Sequence, residues 1–292
     1  MKSETKGMLI GLVGIVIFGL TLPMSKLAVE VFSPEFVSFG RATIAGITGL
    51  IYIRWVKAPI PPWKIIKKML LIIGGIVIGF PYLMTWAMAK GPSAHGGIIL
   101  GFMPIMTTVV GVLRFKERPS KGFWLASLMG TAFVLIYALI QGSGQLSSMD
   151  FLLFSAAIFS AIGYAQGGDL SREMSPKLVI SWAVALSLPL NGLVSYLAFE
   201  PQYLQVGLIY WASFLFLGFF SMYIGFFFWY AGLSIGGISR VSQVQLLQPF
   251  ITLIFAYLFL SEKLTAMNFI FAGLVVLSIL VGKRMMVVRA HS

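Results

Sequence analysis

Apolar segments about 20 residues long follow one another along almost the whole chain, and no other feature constrains its fold as strongly. A helix needs about 20 mostly apolar residues to cross a bilayer, whereas a barrel strand needs about half as many and alternates in polarity. Backbone polar groups in lipid must also be satisfied internally, which favours helices. The sequence therefore predicts an all-α integral membrane protein with ten transmembrane helices, at residues 7–28, 34–54, 68–90, 94–114, 121–141, 150–168, 176–198, 208–232, 239–260 and 266–283.

The low content of charge supports a membrane protein. Only 10% of the 292 residues are charged, against about 25% in soluble domains, and this is too few to cover a water-exposed surface. The net charge of +12 is what Lys and Arg in cytoplasmic loops give to a multi-pass protein, so we expect a lipid bilayer and no nucleic acid as partner. The first apolar stretch is longer than that of a signal peptide and lacks a cleavage site, so we interpret it as the first span.

The basic residues also predict the orientation. With a cytoplasmic N-terminus, four of the 21 Lys and Arg residues lie on the outer side, namely Lys26, Arg41, Lys90 and Lys263, and the other 17 lie inside. Basic residues concentrate on the cytoplasmic side of membrane proteins. We therefore expect a protein of the cell (inner) membrane with both termini in the cytoplasm.

One spacing pattern occurs twice, 145 residues apart. Gly91, Pro104 and Glu117-Arg118 are separated by 13 residues each, and Gly236, Pro249 and Glu262-Lys263 repeat the pattern. A hydroxyl residue follows each block, and Ser120 and Thr265 are predicted helix N-caps. Five spans separate the two blocks, so they should lie on opposite membrane faces. The pattern predicts two inverted five-helix repeats, residues 1–145 and 146–292.

These two blocks, together with FGLTLPMSK at 18–26 and Ser33-Pro34 leading to Arg41, resemble the drug/metabolite transporter (DMT) superfamily in its EamA-type ten-helix branch. The chain departs from the usual pattern in span 6, where no basic residue matches Lys26. The resemblance implies two five-helix halves around a central cavity. Inverted-repeat transporters in general bind substrate near the midplane, between the halves.

Two basic residues near the outer ends of spans are candidates for substrate binding. Arg41 lies about two turns inside span 2, where a charge is costly, and is a natural partner for a substrate carboxylate. Pairing with Glu30 or Glu35 would instead make Arg41 structural. Lys26 can serve either as a ligand or as a residue that extends to the interface.

Polar and aromatic side chains within spans complete the predicted binding set: Tyr82, Trp86 and His95 in the first half, and Tyr223, Trp229, Gln245 and Gln248 in the second. Two amides in hydrocarbon need partners, which are either substrate or another helix. Pro104 and Pro249 recur at the same place in both halves, and we predict that they act as hinges.

The function we expect is secondary transport, namely export of small amphipathic metabolites such as amino acids by alternating access. A multidrug or cationic-compound exporter of the same fold is the alternative, and an integral membrane enzyme acting on lipid is one from a different class. The sequence has no nucleotide-binding glycine loop, no cysteine and no recognisable hydrolase or metal motif. We therefore expect no cofactor, no metal and no catalytic residues. The expected partners are a small-molecule substrate and the bilayer, with the protein as a monomer or homodimer.

Overall fold

The computed structural model describes residues 3–90, 96–141, 148–260 and 265–288. Within these ranges ten helical segments occupy the ten predicted positions: α1 (Ser3–Gly19 and Thr21–Val29), α2 (Pro34–Trp55), α3 (Trp63–Ile72, Ile73–Gly79 and Phe80–Lys90), α4 (Gly96–Phe115), α5 (Lys121–Gln141), α6 (Ser148–Leu170), α7 (Pro176–Leu197), α8 (Leu208–Phe216, Leu217–Ile224 and Gly225–Gly236), α9 (Ile238–Ser242, Gln243–Leu247 and Gln248–Leu260) and α10 (Ala266–Arg284). A 3-10 helix, Pro201–Gln205, precedes α8. The two-residue strands β1 (Arg118–Pro119) and β2 (Val287–Val288) pair antiparallel.

The helices have the length and apolarity that a membrane requires. Eight of the described helices are long and apolar enough to cross a bilayer, namely α1, α2, α3, α5, α6, α7, α8 and α10. In α4 the apolar stretch is shorter, Gly101–Phe115, and in α9 a 3-10 segment interrupts the helix. The prediction of an all-α integral membrane protein is confirmed.

Local signals fix several helix starts. Ser33 precedes Pro34 and accepts a hydrogen bond from the Phe36 N–H at 3.2 Å, which caps α2. The predicted caps are confirmed as well. Ser120 Oγ accepts from the Phe123 N–H at 3.3 Å, and Thr265 forms a reciprocal capping box with Asn268.

Two helices contain a π-helical stretch. In α3 it covers Ile73–Gly79, directly before Pro81, whose missing N–H disturbs the hydrogen bonds of the preceding turn. In α8 it covers Leu217–Ile224, where the sequence contains no proline. The two stretches begin 144 residues apart, close to the spacing of the repeated blocks.

Helix α1 is broken at Leu20, beside Pro23. A helical Pro23 cannot donate to the Gly19 carbonyl, and that carbonyl accepts a hydrogen bond from Thr252 Oγ1 on α9 at 2.7 Å. The neighbouring Phe18 carbonyl accepts from Gln248 Nε2 at 3.2 Å. The break therefore exposes backbone acceptors, and side chains from the other half of the chain satisfy them.

Helices of one half pack against helices of the other half. Helix α1 lies so close to α8 that a Cβ atom added to Gly7 would be 2.4 Å from the Gly236 Cα. Helix α3 lies similarly close to α6, where a Cβ atom added to Gly75 would be 2.9 Å from the Gly163 N. Such contacts need small residues. Helices α2 and α7 pack against each other, as do α5 and α10. Each half is therefore held mainly by contacts with the other.

The beginning of α1, the α4–α5 turn, the start of α9 and the residues after α10 meet at one end of the bundle. Arg240 forms an ion pair with Glu4 and donates to the Met285 carbonyl, and the Ser120 N–H donates to the Met286 carbonyl at 2.9 Å. We call this end the terminal face.

Candidate functional site

Six helices surround a cavity inside the bundle. Its lining comes from α1, α2 and α3 in the first half and from α6, α8 and α9 in the second, and consists of Phe18, Thr21, Arg41, Ile76, Phe80, Pro81, Met84, Tyr164, Ser221, Met222, Phe226 and Gln248. The volume open to the centres of water molecules is about 20 Å³, little more than a single water needs. The cavity is closed to a metabolite in this conformation.

Among the described residues that line the cavity, Arg41 alone carries a formal charge. Its side chain is 2% exposed, and its Nη2 donates to Ser221 Oγ at 2.8 Å. Ser221 Oγ is in turn 2.7 Å from Thr21 Oγ1, so hydrogen bonds join α2, α8 and α1. Among the described residues, Arg41 Nε and Nη1 have no hydrogen-bond partner.

The two acids considered as partners of Arg41 do not pair with it. Within the described part of the chain no carboxylate lies within ion-pair distance of the guanidinium, and Glu30 and Glu35 belong to that part. The interpretation of Arg41 as a structural ion pair therefore receives no support.

Aromatic rings form the apolar wall of the cavity. Phe18 stacks on Tyr164 with ring centroids 6.4 Å apart, and Phe226 lies 5.1 Å from Phe18 and 5.9 Å from Tyr164. Phe18 comes from the first half, and the other two rings come from the second. The cavity thus combines one buried cation with a wide apolar surface.

Of the residues predicted to bind substrate, Arg41 and Gln248 line the cavity. Gln248 is 5% exposed and reaches the Phe18 carbonyl at the break in α1. Trp229 lies directly behind the wall, with its ring 5.5 Å from that of Tyr164. These three predicted residues are brought together.

The other predicted residues lie outside the cavity lining. Lys26 Nζ donates to the Met88 carbonyl at 3.1 Å, near the end of α3, where a cation is favourable. Tyr82 packs between Phe39 and Trp86, at centroid distances of 5.7 and 6.4 Å.

Two further predicted residues belong to the second half. The Tyr223 hydroxyl is 2.6 Å from Ser181 Oγ on α7. Gln245 is 1% exposed, and neither atom of its amide has a hydrogen-bond partner among the described residues. His95 lies outside the described residues, as do Glu262 and Lys263 of the second block.

The predicted hinge prolines both lie at contacts between the halves. The Pro104 carbonyl accepts from Thr108 Oγ1 at 2.9 Å and from Ser242 Oγ of α9 at 3.3 Å. Pro249 is buried and follows Gln248. Both prolines therefore lie beside side chains that connect α9 to the first half.

Sequence reasoning missed Thr21, Tyr164 and Ser221. Small hydroxyl residues are common in membrane helices, and a single one carries little signal, although Thr21 stands in the FGLTLP stretch beside Pro23. Nothing near Ser221 in the sequence indicates a partner 180 residues away.

The sequence did not indicate a partner for Glu117, which belongs to the first of the two repeated blocks. Its carboxylate is 2% exposed and accepts from the backbone N–H groups of Ile238 at 3.0 Å and Ser239 at 2.8 Å. These groups open α9, and Gly237, at φ 95°, turns the chain there. Glu117 therefore caps a helix of the other half.

Further polar contacts cross between the halves at the terminal face. Lys68 pairs with Glu173, and Arg114 Nε donates to Gln166 Oε1 at 3.0 Å. Arg172 Nη2 lies 4.0 Å from Glu117 Oε1. Together with Glu4–Arg240, these contacts hold the two halves together on one side of the cavity.

An aromatic cluster joins the halves at the other end. Phe32 and Phe36, around the start of α2, pack against Tyr203, Trp211 and Phe214, with centroid distances of 5.0 to 6.3 Å. The Ser33 N–H also donates to the Tyr203 hydroxyl at 3.0 Å. We call this group the aromatic cluster.

Comparison with known proteins agrees with this architecture. The model of the EamA-like transporter family matches residues 5–139 and again residues 147–282. The chain belongs to the EamA-like transporter family.

The chain is also similar to proteins that are named as transporters. "Uncharacterized transporter YdeK" of Bacillus subtilis (strain 168) is 40% identical over 265 residues, which cover 90% of this chain and 92% of that protein. "Uncharacterized transporter sll0355" of Synechocystis sp. is 24% identical, over 85% of this chain and 80% of that protein. A crystal structure at 18% identity superimposes with a TM-score of 0.77 over 95% of this chain and 96% of that one, which shows a shared fold.

The EamA-like chain is thus a multi-pass membrane transporter. The two matches of the family model cover nearly all of α1–α5 and of α6–α10, so the cavity is lined by residues from both matched segments.

Proposed function

We propose that this protein is a secondary transporter that exports small amphipathic metabolites such as amino acids by alternating access. The observation that carries the proposal is the cavity, which residues of both halves line. Transport requires a site that opens to each side in turn, and a cavity between two moving halves provides one.

Three observations support an inverted repeat as the basis of the movement. The Gly-Pro-Glu spacing recurs 145 residues apart, and the π-helical stretches of α3 and α8 recur 144 residues apart. The packing of α1 on α8 has its counterpart in the packing of α6 on α3. These similarities support two structurally equivalent halves. Rocking one half against the other would change the side of the membrane to which the cavity opens.

Two groups of contacts between the halves differ in chemistry: the polar contacts of the terminal face and the aromatic cluster. In our proposal the polar contacts close the cytoplasmic side of the cavity, the side that the distribution of Lys and Arg predicts for the terminal face, and the aromatic cluster closes the other side. In the proposed cycle the polar contacts separate when substrate enters from the cytoplasm. The aromatic cluster separates when substrate leaves.

Uptake into inside-out vesicles tests the proposal. Vesicles containing the protein should accumulate labelled amino acids from a panel in a saturable manner, and vesicles without it should not. The natural chain has no cysteine, so Met222→Cys adds a single reporter to the cavity wall. Alternating access predicts that an impermeant maleimide labels this cysteine from either side of the membrane. Labelling from one side alone would contradict the proposal.

A further inference from the structure

The cavity contains a cation whose hydrogen-bonding capacity is largely unused. A guanidinium has five N–H groups, and Ser221 takes one of the two on Arg41 Nη2. The Nε and Nη1 groups have no partner among the described residues, although Arg41 is 2% exposed. Buried polar groups are nearly always hydrogen-bonded, so these donors are available to an acceptor that enters the cavity.

The remaining donors match a planar oxyanion. The guanidinium of Arg has two pairs of parallel N–H groups, one formed by Nε with Nη2 and one by Nη1 with Nη2. We call each pair a fork. Whichever Nη2 hydrogen Ser221 occupies, the other fork remains complete. A carboxylate accepts both bonds of a fork in parallel, which is stronger and more directional than one bond.

The other residues of the cavity lining indicate the chemistry of the remainder of the ligand. The part of the lining that the structure describes contains no acidic side chain that could hold an ammonium group, while Phe18, Tyr164 and Phe226 offer apolar surface. The site therefore suits an anion with an apolar body, and it disfavours a cation because Arg41 would repel it without screening by water.

We propose that Arg41 binds the carboxylate of amphipathic substrates, with Ser221 positioning the guanidinium, and that an amino group on the substrate is not required. This inference rests on the proposed transport function and names the substrate class of the same site. Amino acids are then one group within a wider class of amphipathic carboxylates. Cationic compounds fall outside it.

Binding is measured through a reporter cysteine in the cavity. Met84 lines the cavity and has no polar role, so Met84→Cys in the cysteine-free chain is alkylated by a maleimide only when the halves part. The rate is measured on purified protein with three probes that share a phenyl group: L-phenylalanine, 3-phenylpropanoate and phenylethylamine. Both carboxylates should slow alkylation, and phenylethylamine should not.

Variants of Arg41 assign the effect to this residue. Arg41→Lys keeps the charge but loses the fork, and should raise the carboxylate concentration needed for protection about tenfold. Arg41→Ala should abolish protection. Arg54→Ala is the matched control, because Arg54 is on the same helix but exposed, and it should behave as the parent.

The outcomes separate this inference from the proposed function. If Met84→Cys is alkylated freely but no carboxylate protects it, or phenylethylamine protects equally, the inference is wrong and alternating access stands. If Met84→Cys reacts only after denaturation, the cavity does not open, and both this inference and the proposed alternating access are wrong. A structural role for Arg41 would instead lower the melting temperature of Arg41→Ala while leaving protection by 3-phenylpropanoate intact.

Discussion

Arg41 and Glu117 are both buried charges, and the protein satisfies them to different extents. Glu117 receives two backbone N–H groups and lies near Arg172, so its charge is well compensated. Arg41 donates a hydrogen bond to one hydroxyl, and its Nε and Nη1 groups have no partner among the described residues. A fully satisfied charge stabilises one arrangement of helices, whereas an unsatisfied one is available for a ligand.

Glu117→Gln tests the first of these roles. The amide keeps one acceptor, but it places an N–H donor against another donor at the start of α9. Unfolding free energy should fall by about 2 kcal/mol, because a buried N–H loses its partner and the helix end loses a charge. Thermal unfolding of the purified protein measures this as a melting temperature several degrees lower.

Glu173→Gln provides the control for that measurement. Glu173 is also an acid at the terminal face, but its side chain is 44% exposed in its pair with Lys68, so the loss should stay within about 1 kcal/mol. Equal melting temperatures for the two variants would show that the cap on α9 is unimportant for stability.

The sequence predicted part of this residue-scale chemistry. The position of Arg41 about two turns inside a span made it a candidate for substrate binding, and Arg41 does line the cavity. The hydrogen bonds of Ser221 and Thr21 could not be predicted from the sequence, because the partner of a hydroxyl group depends on which side chain packs opposite it. Tyr82 and Trp86 belong to the predicted binding set, yet Tyr82 packs against Phe39 and Trp86, and neither residue lines the cavity.

At the scale of helices, departures from regular α-structure concentrate around the cavity. The break in α1, the π-helical stretches of α3 and α8 and the 3-10 segment of α9 all adjoin residues of its lining. Irregular backbone inside a membrane is tolerated where protein groups satisfy it, as Gln248 and Thr252 do for α1. These are the places where a helix can bend at low cost.

The prolines of α4 and α9 give a prediction at this scale. Pro104→Ala and Pro249→Ala restore a backbone N–H and favour a straighter helix, so each should slow transport several-fold while expression and folding stay normal. Initial rates of uptake into vesicles measure the effect. Pro189→Ala is the control, because Pro189 also lies inside a helix but on an exposed surface of α7. If the Pro104→Ala/Pro249→Ala double variant transports at the parental rate, the two prolines do not act as hinges.

At the scale of the whole molecule, the proposed transport cycle requires separation of the two halves. Lys68 and Glu173 pair across the halves at the terminal face. Cysteines at these two positions, joined by a short bismaleimide, should abolish transport, because the halves can no longer part there. Cysteines at Lys64 and Lys68, one turn apart on α3, accept the same reagent within one half and should leave transport intact. Transport that survives the link between the halves would contradict alternating access at this face.

The inverted topology that the sequence predicts can be tested at this scale as well. Single cysteines at Ser148 and Thr265 should react with an impermeant maleimide from outside intact cells, and cysteines at Lys64 and Ser120 should react only after the membrane is opened. The reason is that five spans, an odd number, separate Ser120 from Thr265. Labelling of Ser120→Cys and Thr265→Cys from the same side would rule out the inverted repeat.

The sequence by itself determined the membrane class, the positions of the ten helices and the caps at Ser120 and Thr265. Each of these depends on neighbouring residues, because a helix in lipid satisfies its own backbone and begins where a side chain can cap it. Only the tertiary structure decided which polar groups meet: Glu117 with the start of α9, 121 residues away, and Arg41 with Ser221. Partners across the halves depend on how the helices pack, and hydrophobic periodicity carries no information about which hydroxyl or N–H will lie opposite a buried charge.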